Sequence, residues 1–245
     1  MSFGGAFLGI FRLNSYFDKF YVFDYLSRLF KMKRGSLIVI SRGGFKFEVK
    51  TISDYLLIMD MLNDSYGKIP GGGIVIDIGA HKGIFSVLSS RMAKRVYSFE
   101  PSTSNFKVLE KNIKINGIKN IQAIHSAVGG KDGKLRLYLS DSALGHSVYK
   151  KTNKFEEVPS LSLDSLFENN KILRCDFLKV DCEGSEFDIF KNASDRIFKK
   201  IHRMVIEVHP NNNDNHETLS KLLSSKDYNI KLKEIDGFMH IFAKK

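Results

Sequence analysis

The stretch Ile74 to Leu88, "IVIDIGAHKGIFSVL", constrains this chain more than any other. Apolar β-favouring residues surround one acid, Asp77, then Gly79 and Gly83 stand four apart, and apolar residues follow at helical spacing. Strand, glycine loop and helix in that order form the unit that grips a nucleotide-like ligand beyond the carboxyl end of a strand. Further strands are expected at Arg95–Phe99, Ile121–His125, Asp176–Asp181 and Arg203–Val208, with Lys134–Ser140 half exposed. Helices are expected at about Lys82–Ala93, Ser102–Ile115 and Asp214–Leu223. Two closing strands, Tyr228–Glu234 and Phe238–Ala243, joined at Asp236-Gly237, require one strand to run antiparallel. The expected fold class is α/β: a Rossmann-like, mostly parallel sheet with helices on both faces. A chain of 245 residues, 43% hydrophobic, has enough core for one such domain and an appendage.

The appendage is expected at residues 1–70 and the main domain at 71–245. In Phe7 to Arg34, Leu13, Phe17, Phe20, Leu26 and Phe30 recur at roughly helical spacing, ahead of basic Lys31, Lys33 and Arg34. Two readings stay open for this segment. One is a helix lying on an anionic membrane surface. The other is a helix packed on the main domain or on a twin subunit of a homodimer, which Asp18 and Asp24 on the broad apolar face favour. Ser36 to Lys50 reads as a hairpin around Gly43-Gly44. Asp54–Leu62 reads as a short helix that Asp54 caps, and Gly71 to Gly73 reads as a linker.

The net charge of +11 favours anionic partners, but the lysines are scattered, as on a solvated surface. The two cysteines, Cys175 and Cys182, lack C-x-x-C or metal spacing and read as reduced core thiols of a cytoplasmic protein, with peripheral membrane contact as a variant. No apolar run is long enough to span a bilayer, and no cleaved signal is expected, because Arg12 interrupts the apolar start.

The loop itself narrows the ligand. Asp77 stands where a dinucleotide fingerprint carries its first glycine, giving D-x-G-x-x-x-G. A carboxylate there repels a pyrophosphate and suits a cation. S-adenosylmethionine, a nucleoside with a sulfonium and an ammonium but no phosphate, fits that charge pattern. Gly79 and Gly83 would let the main chain pass close to its amino-acid portion, where Cβ atoms would collide, and Ala80 between them is also a cofactor-binding candidate. Glu100, at the end of the second strand in "VYSFEP", would accept the ribose hydroxyls, with Pro101 stopping the strand. The fourth core strand ends in "VDCEGSE". Glu186 starts the next helix, where the macrodipole stabilises it, whereas Asp181 and Glu183 point to the crevice. Glu207 and His209 end the neighbouring strand. Asp181, Glu183 and His209 are the candidate catalytic groups, with His146 in "SDSALGHS" a further possible base. Asp181, Glu207 and His209 form a candidate ligand set for a divalent metal such as magnesium.

The blocks "VIDIGAHKGIFS", "VYSFEPSTSNFKVLEKNIKIN" and "LKVDCEGSEFDIF" resemble the FkbM family of S-adenosylmethionine-dependent methyltransferases, from about Ile74 to the C-terminus. The resemblance implies a class I methyltransferase fold with a seven-stranded sheet, and methyl transfer to a hydroxyl of a sugar, glycan or polyketide-like small molecule. It implies that Asp77, Gly79, Gly83 and Glu100 bind the cofactor while Asp181 and Glu183 face the acceptor. Ser126 and Ala127, after the third strand, are placed near the adenine by analogy. Cys182 stands where the family has a small aliphatic residue and reads as packing. Two other functions were open to such a chain. An RNA methyltransferase lacks support, because no N-P-P-[YF] motif is present and carboxylates repel a phosphate backbone, so nucleic acid is not an expected partner. A non-enzymatic membrane-docked scaffold is argued against by Asp77, Glu100 and Asp181.

Overall fold

A computed structural model describes residues 37–41, 43–51, 54, 57–58, 61–62, 66–139, 154–211 and 213–245. The aromatic segment Phe7–Arg34 and His146 lie outside the described residues. The chain divides into two compact units, Met1–Ser65 and Tyr66–Lys245. Residues 66–70, read from sequence as part of the extension, therefore go with the larger unit.

In the smaller unit, β1 (Leu37–Ile40) and β2 (Lys46–Val49) form the expected antiparallel hairpin. Asp54 does not act as the N-cap expected of it. Thr51 Oγ1 accepts from the Asp54 amide at 3.2 Å, while Asp54 Oδ2 reaches back to the amides of Thr51 (2.9 Å) and Lys50 (2.8 Å). Thr51 is thus the cap and Asp54 the third residue of a capping box.

The larger unit is built on seven strands in the order β11-β12-β10-β9-β3-β4-β5. These are β3 (Ile74–Ile78), β4 (Arg95–Phe99), β5 (Ile121–Ile124), β9 (Phe177–Val180), β10 (Arg203–Val208), β11 (Asn229–Ile235) and β12 (Phe238–Lys244). β12 runs antiparallel to both β10 and β11 and the other pairings are parallel, as the closing hairpin required. The central strands are apolar along nearly their whole length because helices cover both faces of a parallel sheet. The core joins Ile76, Ile78 and Phe99 to Leu178, Val180 and Ile206 of the sheet, and to Phe187, Phe190 and Leu219 from helices. Those helices are α1 (Ile84–Ser89), α2 (Thr103–Ile115), α3 (Leu163–Asn169), α4 (Glu186–Asn192), α5 (Asp195–Lys200) and α6 (His216–Ser224).

β3 leads through α1 to β4 on one side and has β9 on the other. Strand order therefore reverses at β3, and the ligand crevice belongs outside the carboxyl ends of β3, β4, β9 and β10. A second sheet, not foreseen from sequence, has the order β6-β8-β7 and comprises β6 (Ala127–Gly129), β7 (Gly133–Tyr138) and β8 (Phe155–Ser162). Among the described residues no helix is long and apolar enough to cross a membrane.

Candidate active site

Asp77 lies on the buried strand β3 and is 0% exposed. Ser86 donates to its Oδ2 at 2.5 Å, and Ser98 in turn hydrogen-bonds Ser86 at 2.6 Å. Lys179 Nζ stands 3.2 Å from Asp77 Oδ1, 3.3 Å from Asp181 Oδ2, and donates to the Gly79 carbonyl at 3.0 Å. Burial works against the Lys179 charge, but Asp77 and Asp181 outweigh it and push its pKa above the usual lysine value. The charge that sequence reasoning offered to a sulfonium is thus neutralised within the protein. Asp77 anchors Lys179, and Lys179 ties the end of β3 to the end of β9.

The two loop glycines are also required for a reason other than cofactor approach. A Cβ on Gly79, at φ +74°, would lie 1.7 Å from the main-chain oxygen of Asp181. A Cβ on Gly83, at φ +79°, would lie 2.2 Å from Leu109 Cδ1. The first glycine lets the loop pass against the loop after β9, and the second lets α1 close on α2. Gly79 and Ala80 donate their amides to the Phe99 carbonyl at 3.0 and 2.9 Å, which fixes the loop beside the end of β4.

Glu100 follows β4 and is buried. Its carboxylate accepts from the His81 amide at 2.7 Å and the Ser102 amide at 2.9 Å, one on each oxygen. Burial raises its pKa to about 7, although those amides pull the other way. The Asn105 side chain hydrogen-bonds the same carboxylate and also pulls its pKa down, so of the roughly four acceptor sites of a carboxylate about one remains for a hydroxyl donor. The Pro101 carbonyl lies 2.8 Å from His125 Nε2. Ser126 turns its hydroxyl to the carbonyls of Ala127 (2.8 Å) and Pro159 (3.1 Å), and Ala127 packs with Leu137 and Val158 inside the second sheet. Both side chains therefore serve the fold, and what this corner has left for a ligand is main chain.

The ends of β9 and β10 bring Asp181, Glu183, Glu207 and His209 together and add groups the sequence did not single out. Tyr66, buried, stands with its hydroxyl 3.1 Å from Asp181 Oδ2 and 3.0 Å from Glu207 Oε2. His240 Nε2 lies 3.2 Å from the same Glu207 oxygen. His209 Nδ1 is 2.9 Å from Glu186 Oε1, and its Nε2 is 3.5 Å from Glu207 Oε1 and 3.7 Å from Glu183 Oε2. Glu186, 0% exposed, also accepts from the amides of Cys182 and Gly184, both at 3.2 Å. Its position at a helix start is therefore not its whole role, because it orients His209. Glu183 takes a positive φ of +57°, uncommon for a residue with a side chain, and is the most exposed of these carboxylates at 37%.

The electrostatics follow from this crowding. Burial works against the His209 charge, but Glu186 and Glu207 outweigh it and raise its pKa to about 11. It therefore holds its proton at neutral pH and is not the base that sequence reasoning allowed. Burial pushes Glu183 up to about 7 against the opposing pull of His209. Burial also raises Asp181, whereas hydrogen bonds from His209 and His240 overcome burial at Glu207 and hold it well below the usual range. Tyr66 is raised by burial and then by the two carboxylates it contacts. Cys182 is raised by burial and by Glu186, so its thiol is inert at neutral pH. Tyr66 and His240 were missed because a lone tyrosine or histidine carries no motif. Lys179 had a signal: a lysine in the apolar run "FLKV" must be paired if the strand is buried.

The seven-stranded sheet, its antiparallel penultimate position and a glycine loop at the switch point are the architecture of a class I methyltransferase. The methyltransferase FkbM domain matches residues 77–230, and the chain belongs to that family, a family of methyltransferases. "Methyltransferase 1" of Beauveria bassiana is 26% identical over 222 residues, covering 81% of this chain and 88% of that one. "Methyltransferase sdnD" of Sordaria araneosa is 23% identical over 175 residues, 57% of this chain and 68% of that one. The crystal structure of methyltransferase FkbM from Methylobacillus flagellatus superposes with a TM-score of 0.53 at 18% identity. That alignment covers 71% of this chain and 44% of the longer bacterial one, and it shows the shared fold.

Proposed function

We propose that the protein transfers a methyl group from S-adenosylmethionine to a hydroxyl of a sugar, glycan or polyketide-like small molecule. The observation that carries this reading is the pairing of two different ends of one crevice. Glu100, a buried acid beside the glycine loop, suits a ribose hydroxyl, and the carboxylate-rich end at Asp181, Glu183 and Glu207 suits a hydroxylated acceptor. The donor set fits this cofactor: Glu100 stands where an acid meets a ribose, and Asp77 replaces the first glycine of a dinucleotide fingerprint beside the loop where a pyrophosphate would lie. When bound, the cofactor supplies an electrophilic methyl group on a sulfonium.

Asp181, held by Lys179 and Tyr66, borders the methyl-transfer position, because its main-chain oxygen is packed on Gly79. Glu183 is the base that takes the hydroxyl proton as the carbon–oxygen bond forms and the carbon–sulfur bond breaks, since it is the most accessible of these carboxylates and burial raises its pKa to about 7. Orientation and exclusion of water supply most of the rate. The acid-rich rim disfavours a nucleic-acid acceptor, whose phosphates it would repel.

Calorimetric titration with S-adenosylhomocysteine tests the cofactor, with NAD and the Glu100→Ala variant as controls. Micromolar binding that the variant loses and NAD lacks supports the reading. Absence of binding in folded protein overturns it. Methylation of polyhydroxylated acceptors, compared with Glu183→Gln, then tests the acceptor class.

A further inference from the structure

From the Asp181–Glu207–His209 cluster we infer that the crevice holds one divalent cation of the first transition series, manganese in preference to magnesium. Among the described residues these three form the one group whose ligand atoms lie close enough to share an ion, all within 4.8 Å of one another. Around an ion with bonds of roughly 2.1 Å, ligand atoms are separated by about 3–4 Å, so small side-chain rotations close the triad. The atoms are also available. Tyr66 and Lys179 engage Asp181 at Oδ2, and Tyr66 and His240 engage Glu207 at Oε2, so these contacts use one oxygen of each carboxylate, and Glu207 Oε1 lies 3.5 Å from His209 Nε2. Glu186 takes the Nδ1 edge of His209, so the Nε2 edge is the one presented to the carboxylates. A carboxylate behind a histidine in this way sets the ring orientation of metal-bound histidines in general.

A second observation points to a missing positive charge. Tyr66 has one hydroxyl proton for two carboxylate oxygens, so it satisfies one at a time. Glu186, 0% exposed and aimed at His209, keeps its other oxygen, Oε2, buried with no hydrogen-bond partner. Four carboxylates, Asp181, Glu183, Glu186 and Glu207, surround this point, and the nearby Lys179 is shared with Asp77. Uncompensated buried carboxylates are costly; His209 and His240 answer Glu186 and Glu207 in part, and an ion would offset what four carboxylates still leave over. A divalent ion would take the place of a proton on His209. Two oxygens and an imidazole suit manganese better than magnesium, which prefers an all-oxygen shell. Placed beside Asp181, such an ion would hold the acceptor oxygen and make its proton easier to remove. That last role rests on the proposed reaction, whereas the binding site does not.

The test is calorimetric titration of chelator-treated, full-length protein with manganese chloride and, separately, magnesium chloride, alongside the S-adenosylhomocysteine titration. One equivalent of manganese should bind about tenfold or more tightly than magnesium. Glu207→Gln and His209→Gln should each weaken manganese at least about tenfold while retaining S-adenosylhomocysteine binding, which shows that they fold. Glu234→Gln, on an exposed face of β11, should leave manganese affinity unchanged. No manganese binding at millimolar concentration in protein that still binds S-adenosylhomocysteine overturns the inference. Binding that neither substitution weakens overturns it equally. Manganese binding without nucleoside binding would support the metal site and undo the cofactor reading instead.

Discussion

Burial pushes Glu100 up to about 7, against an ordinary value of 4.5, while the amides of Ser102 and His81 pull it down. Between those two values the folded protein holds more protons here than the unfolded chain. The contribution to stability is therefore present below the unfolded value and is lost as pH rises through about 7. Thermal unfolding of the ligand-free protein should show this loss between about pH 5 and 8, and Glu100→Gln should flatten that part of the profile. Ribose hydroxyls donate to the ionised form, so S-adenosylhomocysteine affinity should rise with pH up to about 7, by at most about tenfold per unit. A pH-independent affinity across that range would show that Glu100 is not the ribose acceptor. At this scale the sequence was legible in the identity of residues and less so in their duties. Asp77 was read as facing a ligand cation because spacing places it on the loop. Spacing does not reveal that Lys179, about a hundred positions away, occupies the same side of the strand end.

Among the elements, Lys179 joins β3 to β9 through a buried pair and a main-chain contact. Lys179→Met leaves Asp77 and Asp181 without that cation and should cost about 3–5 kcal/mol in urea unfolding. Adding Asp77→Asn to Lys179→Met should recover part of the loss, because it removes one stranded charge. By contrast, Asn215 caps α6 by accepting from Glu217 (3.0 Å) and Thr218 (3.2 Å), hydrogen bonds that stay within the first turn of that helix. Asn215→Ala should cost about 1 kcal/mol and leave methyl transfer unchanged. The central strands were legible because they are short, nearly continuous apolar runs, and α2 because its 13 residues show a helical period. The second sheet was not: β8 carries Pro159 at its middle, and proline usually marks an edge or a break. α3 and α5, of seven and six residues, are too short for a helical period to show.

For the whole molecule, the closing hairpin announced the antiparallel strand, and alternation announced the rest of the sheet. The carboxylate cluster was only half legible, because it gathers Tyr66, the turn after β9, the end of β10 and His240 on β12, which no local window contains. The packing of Gly79 against the Asp181 carbonyl adds a thermodynamic consequence. The glycine loop and the turn after β9 share one interface with no slack, so if the proposed nucleoside and metal occupy them, filling either should alter the free energy of filling the other. Manganese should then change S-adenosylhomocysteine affinity by a measurable factor, and S-adenosylhomocysteine should change manganese affinity by the same factor. The enzyme would behave as a linked pair of sites in which each ligand acts as the other's effector, joined through a contact too tight for a methyl group.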